Sequence, residues 1–439
     1  MNASDQWTLE EWLAWQTTLA ENRIGCGLER VREVWSRLGP AQFDCLIITV
    51  GGTNGKGSCA AYLEAIVNAA GYTAGCYSSP HLLRYNERVR IGGAAASDVD
   101  LCEAFVRVNQ ARGTTPLTYF EFGTLAALDL FSRVAPDLVI LQVGLGGRLD
   151  AVNLLDADCS VVTSIGHDHQ AQLGDTLDAI ALEKAGIFRA DRPAIIGQPD
   201  APAALRAAAQ ALGANVLQMG RELSCETATE GSGWVWTGAD GERLSLPTPA
   251  MRGTFQHYNA AAAITALRVL RARLPVPMAA IRTGLGRARL PGHFQVLAGD
   301  VTWILDVAHN QEAALALATN LRGFNCPGKV RAVFGVPADK DPESVTTPLS
   351  SLVDTWYLTA SGDARAMPTA QLVERLADAL PGATLEVYPT VRSALDEALA
   401  TSAPGDCLLV CGSFTTVGEA LTHKDELSSP RMLISSLPF

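Results

Sequence analysis

Short β-branched runs alternate along the chain with stretches of helical period, which predicts an α/β fold with a mainly parallel sheet. A first set of strands is expected at residues 45–50, 138–143, 160–163 and 194–197. A second set follows at 301–305, 330–334, 355–358, 385–388 and 407–410. Helical period marks 59–70 and 259–274, and the Ala-rich tract 201–214 reads as a surface helix. Residues 217–249 lose periodicity and are rich in Gly, Thr and Ser, as decorating strands or loops would be. Residues 286–299, with Arg287, Arg289, Pro291 and Gly292, form a candidate hinge. The expected organisation is a domain over 1–295 and a smaller one over 296–439.

The chain has 439 residues, enough for two or three domains at ~150 residues each. Lys and Arg number 34 against 46 Asp and Glu, a net charge of −12. That balance opposes binding of nucleic acid or an anionic membrane by bulk charge, while a local anion site stays open. Charged residues are 18% and hydrophobic residues 48% of the chain. Globular proteins average ~25% charged, so extensive disorder is excluded. No run approaches the ~18 apolar residues of a membrane span. Asp5, Glu10 and Glu11 stand where a signal peptide would carry its apolar core. The ten cysteines include no C-x-x-C pair, and Cys407 and Cys411 read as small buried hydrophobes. A reduced, soluble, cytoplasmic protein is expected.

The strongest chemical signal is Gly51-Gly52-Thr53-Asn54-Gly55-Lys56-Gly57-Ser58, set between a strand and a helix. A glycine-rich turn at a helix N-terminus aims backbone N–H groups at an anion, and the helix dipole adds to them. Lys56 supplies a point charge for outer phosphates, and a hydroxyl such as Ser58 can meet Mg²⁺. The spacing G-x-x-x-x-G-K-[ST] is not met, because Gly57 follows Lys56. Four glycines around one lysine in this setting are more than a tight turn requires. Asp306 falls just after a strand of the second set, where ligands of open α/β sheets gather.

This string resembles the phosphate loop of the Mur-ligase superfamily, in the variant of dihydrofolate synthases and folylpolyglutamate synthases. Further segments match in order: Ser78 to Leu82, Leu117 to Glu121, Val143 to Ala151, Asp168-His169, Glu183 to Ile187, Asp306 to Asn310 and Cys411 to Phe414. The resemblance implies an N-terminal P-loop-type ATPase domain with a parallel sheet and a smaller Rossmann-like C-terminal domain. It implies ATP-driven amide formation, in which a carboxylate is phosphorylated and the acyl phosphate is attacked by the amino group of glutamate. Lys56, Lys184, His309 and Ser413 are its expected catalytic groups. Thr53, Asn54, Gly55, Lys56, Gly57, Ser58, Asn259, His293 and Asp306 would bind ATP. Ser79, Gln142 and His169 stand at the Mg²⁺-ligand positions. Gly25, Cys26, Gly27 and Leu28 would contact the acid substrate, with Thr118, Tyr119, Phe120, Glu121, Leu149, Asp150 and Ala151.

ATP and Mg²⁺ are the implied cofactors, with a carbamate on Lys184 and a monovalent cation as further candidates. Burial of Lys184 among Ala, Gly and Ile would lower its pKa and leave a neutral amine able to take up CO₂. The partners expected are a small acid and an amino acid, without nucleic acid or membrane, acting on a monomer with catalysis in the cleft between domains. Three positions depart from the family pattern. Gln142 replaces a glutamate at the metal, His293 an arginine at the ATP phosphates, and Gly25 an aspartate in the pterin-side loop. They leave two other readings open: a paralogue joining an amino acid to a non-folate acid, and a nucleotide-binding protein impaired in turnover.

Overall fold

The computed structural model describes residues 6–19, 27–39, 44–227 and 233–428. The chain divides into two compact units, Met1–Leu290 and Pro291–Phe439. The division falls just ahead of the 295/296 boundary expected.

The first unit carries β1 (Leu46–Gly51), β2 (Ala74–Tyr77), β3 (Val89–Ile91), β4 (Ala94–Ala95), β5 (Leu138–Gln142), β6 (Cys159–Val162), β7 (Pro193–Ile196) and β8 (Asn215–Gln218). They form one sheet in the order β4-β3-β2-β5-β1-β6-β7-β8. The strands from β2 to β8 in that order are parallel, and β3 and β4 add an antiparallel edge. A parallel sheet is covered on both faces, so its strands read as unbroken apolar runs. Alternate side chains of β1 and β5 serve opposite cores. Ile47, Val139 and Leu141 join Trp12, Phe105 and Phe122 in one. Ile48, Val50 and Ile140 join the helices Lys56–Ala69 and Phe255–Val269 in the other. The Gly/Thr/Ser-rich stretch supplies β9 (Ser224–Thr227), β10 (Gly233–Thr237) and β11 (Arg243–Pro247), an antiparallel sheet. Trp234 and Trp236 of β10 are buried in the second core, and the Trp236 indole donates to Thr265 Oγ1 at 3.1 Å.

The second unit carries β12 (Gln295–Leu297), β13 (Thr302–Asp306), β14 (Val330–Phe334), β15 (Thr355–Leu358), β16 (Thr384–Val387) and β17 (Cys407–Cys411). Their order is β12-β13-β17-β14-β15-β16, with β12 antiparallel and the rest parallel. Each of the nine expected strands is present within one residue at either end.

One expectation fails here. Cys407 is buried but not a free thiol: it is joined to Cys326 by a disulfide. Cys326 lies 81 residues earlier, and parallel pairing of β14 with β17 brings the two together, which local spacing cannot reveal. Beside it, Asp406 accepts the Lys329 and Ala403 N–H groups at 2.8 and 2.9 Å and pairs with the buried Arg331 guanidinium. Asp406→Ala is expected to lower unfolding free energy by about 3–5 kcal/mol, because it strands a buried cation and two amides. Urea denaturation checks this, and a loss below about 1 kcal/mol would mark the pair as dispensable.

Candidate active site

The phosphate loop joins β1 to the helix Lys56–Ala69. Gly52 and Gly55 hold φ of 139° and 85°, and a Cβ at Gly55 would stand 2.3 Å from Asn259 Oδ1. The loop therefore needs glycine for conformation and for room. The end of β6 fixes its shape. Thr53 N–H donates to Ser164 O (2.7 Å), Asn54 N–H to Ser164 Oγ (3.0 Å), and Thr163 Oγ1 to Asn54 O (2.6 Å). Ser58 Oγ accepts from Gln256 Nε2 at 3.1 Å, and Asn259 Nδ2 donates to Gln256 Oε1 at 3.3 Å. Gln256 thus links Ser58 to Asn259, two of the residues expected at the nucleotide. Its one signal is its place one helical turn before Asn259.

Two lysines converge on one carbonyl. Lys56 Nζ donates to Gly52 O and Thr53 O at 2.9 and 2.8 Å, and Lys184 Nζ donates to Gly52 O at 3.0 Å. Lys184 is 4% exposed. Burial, then the Lys56 charge, lower its pKa to about 7, with Asp168 and Asp150 acting the other way. Asp150 accepts the N–H groups of Gly144, Leu145 and Val152 at 3.0, 2.8 and 3.0 Å, so its carboxylate orders the Val143–Ala151 loop from within. Burial pushes its pKa up to about 6, against those bonds and Lys56. Ala151 is buried and Leu149 exposed.

The loop after β2 is held from one side. Glu87 accepts the N–H groups of Leu82, Leu83 and Arg84 at 2.8, 2.8 and 2.7 Å. Arg90 Nη1 donates to Ser78 Oγ at 3.0 Å, and Ser78 N–H to Arg88 O at 2.9 Å. Gln142, buried at the end of β5, donates through Nε2 to Ser79 O. Its Oε1 lies 3.6 Å from the position of a Cβ on Gly57, so it faces the phosphate loop. His169 is exposed with φ 51° at the head of the helix Gln170–Leu173, its Nε2 3.9 Å from Asp168.

Thr118 and Glu121 form a capping box on the helix Tyr119–Val134, and Glu121 also pairs with Arg30 at 2.7 Å. Glu121 therefore does structural work, and its spacing from Thr118 is that of a capping box. Tyr119 and Phe120 stay partly exposed, and Phe120 packs 6.0 Å from Tyr77. Leu28 is buried at the head of the helix Glu29–Leu38 and Gly27 half-buried before it. Gly25 and Cys26 lie outside the described residues.

In the second unit, the ends of β13 and β17 lie side by side, Asp306 opposite Cys411. Asp306 accepts the N–H groups of Phe294 and Ala308 at 2.9 Å each, and burial pushes its pKa up to about 6. The His293 and His309 rings flank Phe414 at 6.2 and 6.1 Å. Each His Nδ1 meets a backbone carbonyl, Pro291 O at 3.0 Å and Val307 O at 2.8 Å. Burial and His309 lower the pKa of His293, against the hydrogen bond to Pro291 O, and so favour the uncharged ring. Ser413 is buried, and its Oγ accepts the Thr416 N–H at 3.0 Å at the head of the helix Phe414–Ser428.

The Mur ligase middle domain matches residues 50–267, and the Mur ligase, glutamate ligase domain matches 292–414. The dihydrofolate synthase/folylpolyglutamate synthase of Escherichia coli is 42% identical over 94% of this chain and 94% of its own. The chain belongs to this family. The dihydrofolate synthase/folylpolyglutamate synthase of Haemophilus influenzae is 36% identical over 94% of this chain and 96% of its own. E. coli FolC in complex with DHPP and ADP superposes with a TM-score of 0.90 at 41% identity, covering 97% of this chain and 99% of that one. The bifunctional Yersinia pestis enzyme complexed with AMPPNP and Mn gives 0.87 at 40%, covering 96% and 99%.

Among the described residues no group of three or more His, Cys, Asp or Glu is placed to hold a metal ion. Of the three expected ligands, Gln142 and Ser79 are brought together by the bond from Gln142 Nε2 to Ser79 O, and they offer neutral oxygens. Such a set fits a hard divalent cation whose charge is balanced mainly by nucleotide phosphates.

Proposed function

We propose that the chain is an ATP-dependent ligase that joins L-glutamate to a pteroate or folate carboxylate, as dihydrofolate synthase and folylpolyglutamate synthase. The observation that carries this reading is the 42% identity with the E. coli enzyme over 94% of the chain. It favours this reading over a non-folate paralogue and over a protein impaired in turnover.

The acid carboxylate attacks the γ-phosphorus of ATP, and ADP leaves. The glutamate amine then attacks the acyl carbon, phosphate departs, and the nitrogen loses its proton. Phosphoryl transfer of this kind rests on positioning and charge neutralisation. Thr53, Asn54, Gly55, Gly57 and Ser58 would cradle the phosphates through backbone N–H groups, and Lys56 would turn from its loop carbonyls onto the outer phosphate. Asn259 would meet the nucleotide beside Gly55, and His293 and Asp306 from the second unit. Ser79, Gln142 and His169 would hold the divalent ion, which supplies charge neutralisation at the phosphates. Tyr119, Phe120 and Leu149 offer exposed surface for the acid, with Asp150 ordering the loop beneath. His309 and Ser413 would act near the acyl phosphate or the incoming glutamate. On this reading 1–290 serves nucleotide and acid, and 291–439 serves glutamate and makes further nucleotide contacts, in a cytoplasmic monomer. No helix among the described residues is long and apolar enough to cross a membrane.

The test is phosphate release by the purified protein with dihydropteroate, folates and unrelated aryl acids, each with every amino acid. Release confined to pteroyl acids with glutamate supports the assignment, and preference for an unrelated acid overturns it.

Gln142 gives a metal prediction. One carboxylate fewer leaves Mg²⁺ more dependent on ATP oxygens, so turnover should need unusually high Mg²⁺. Gln142→Glu is near-isosteric and should lower the half-saturating Mg²⁺ concentration by about tenfold, the effect of one charge-assisted ligand. Titration of initial rate at fixed ATP decides it: coincident half-saturation points would remove Gln142 from the metal site.

A further inference from the structure

Arg88 is a cation with no part in the chemistry described above. Its guanidinium carbon lies 5.3 Å from the Tyr85 ring centroid and 5.5 Å from that of Tyr119. Its Nε donates to His81 Nδ1 at 2.8 Å. Two aromatic contacts and one directed hydrogen bond fix the plane of the guanidinium and leave its two terminal nitrogens as a preset fork. Among the described residues no carboxylate forms an ion pair with Arg88, whereas Arg90 beside it is paired with Glu64 at 2.8 Å. Glu87, its neighbour in the chain, accepts three backbone N–H groups instead. The fork stands between two parts of the site: His81 follows Ser79 by two residues, and Tyr119 adjoins Phe120.

We propose that Arg88 seats a carboxylate of the acid substrate that does not react, the one left beside the reacting group on a terminal glutamate. The proposal rests on the ligase reading given above. A planar, unpaired fork matches a carboxylate in two parallel hydrogen bonds. The reacting carboxylate is a poor occupant, because it must give an oxygen lone pair to phosphorus, and a bidentate guanidinium would hold both oxygens. A pteroate acid has only its reacting carboxylate, whereas its glutamylated product has another. Arg88 is therefore a specificity residue for chain extension and indifferent to the first addition.

The test compares kcat and KM of the unaltered protein, Arg88→Gln and Arg88→Lys with dihydropteroate and with a folate monoglutamate. Arg88→Gln should raise KM for the monoglutamate by about tenfold or more, the worth of a charge-assisted pair. Its kcat, and both constants for dihydropteroate, should stay within about twofold of the unaltered protein. Arg88→Lys keeps the charge without the fork and should fall between. Unchanged monoglutamate kinetics, or equal losses with both acids, would overturn the proposal. If circular dichroism shows Arg88→Gln unfolded, Arg88→Lys decides by the same comparison: a selective rise supports the seat, and parallel behaviour refutes it. An unaltered protein that turns over neither acid defeats the ligase reading and this proposal with it.

Discussion

Replacing Lys56 with alanine is expected to lower ATP turnover by about 100- to 1000-fold, the usual effect of deleting a preorganised donor at a phosphoryl group. The fold should survive. The Lys56 ammonium reaches Gly52 O and Thr53 O within its own loop, and the loop is held separately by Thr163, Ser164 and glycine geometry. Circular dichroism and the urea midpoint should therefore match the unaltered protein. A second readout comes from the neighbouring lysine. The Lys56 charge is one cause of the lowered Lys184 pKa, so its removal should let that pKa rise. Turnover within about tenfold of normal in a folded Lys56→Ala protein would refute the phosphate-loop assignment.

Lys184 should make activity depend on CO₂. Its pKa is lowered from 10.5 to about 7, so the neutral amine dominates above pH 7 and the ammonium below it. Only the neutral form can attack CO₂, giving a carbamate and releasing a proton. Carbamate formation should accordingly rise as pH climbs through about 7 and be lost below. The carbamate nitrogen keeps one N–H, enough to maintain the bond to Gly52 O, and its new negative charge would face Lys56. Turnover after CO₂ removal should fall at least about tenfold and recover with bicarbonate. Lys184→Met should be inactive and unresponsive. Enrichment with ¹³C-bicarbonate should label the unaltered protein and leave Lys184→Met unlabelled. Rates indifferent to bicarbonate across pH 6–8, with no label, would leave Lys184 a buried amine without this chemistry.

The strands that the sequence discloses are those whose own residues demand a sheet. Leu46–Gly51 and Cys407–Cys411 are apolar and buried throughout. β2 escapes because Ala74-Gly75-Cys76-Tyr77 has no β-branched residue. A Cβ on Gly75 would lie 2.9 Å from Phe131, so helix contact selects glycine there against strand propensity. β12 hides in the segment expected to be a hinge, since its partner β13 alone makes it a strand. In the site, glycine spacing marks the phosphate loop because its anion chemistry is local. The capping role of Glu121 is legible in its spacing from Thr118, whereas its pair with Arg30 is not. Arg88 stays silent until folding brings His81, Tyr85 and Tyr119 around it. The Cys326–Cys407 bond and Gln256 likewise depend on contacts that no short window contains.

The three amides gathered by Glu87 bear on how a ligand would meet the loop that carries Ser79. Leu82, Leu83 and Arg84 lose their backbone freedom when the chain folds, not when a substrate arrives. Ordering a loop at the moment of association subtracts from affinity, and a loop already ordered avoids that loss. A ligand arriving at this face would meet groups already in place, and its selectivity would be set by their fit.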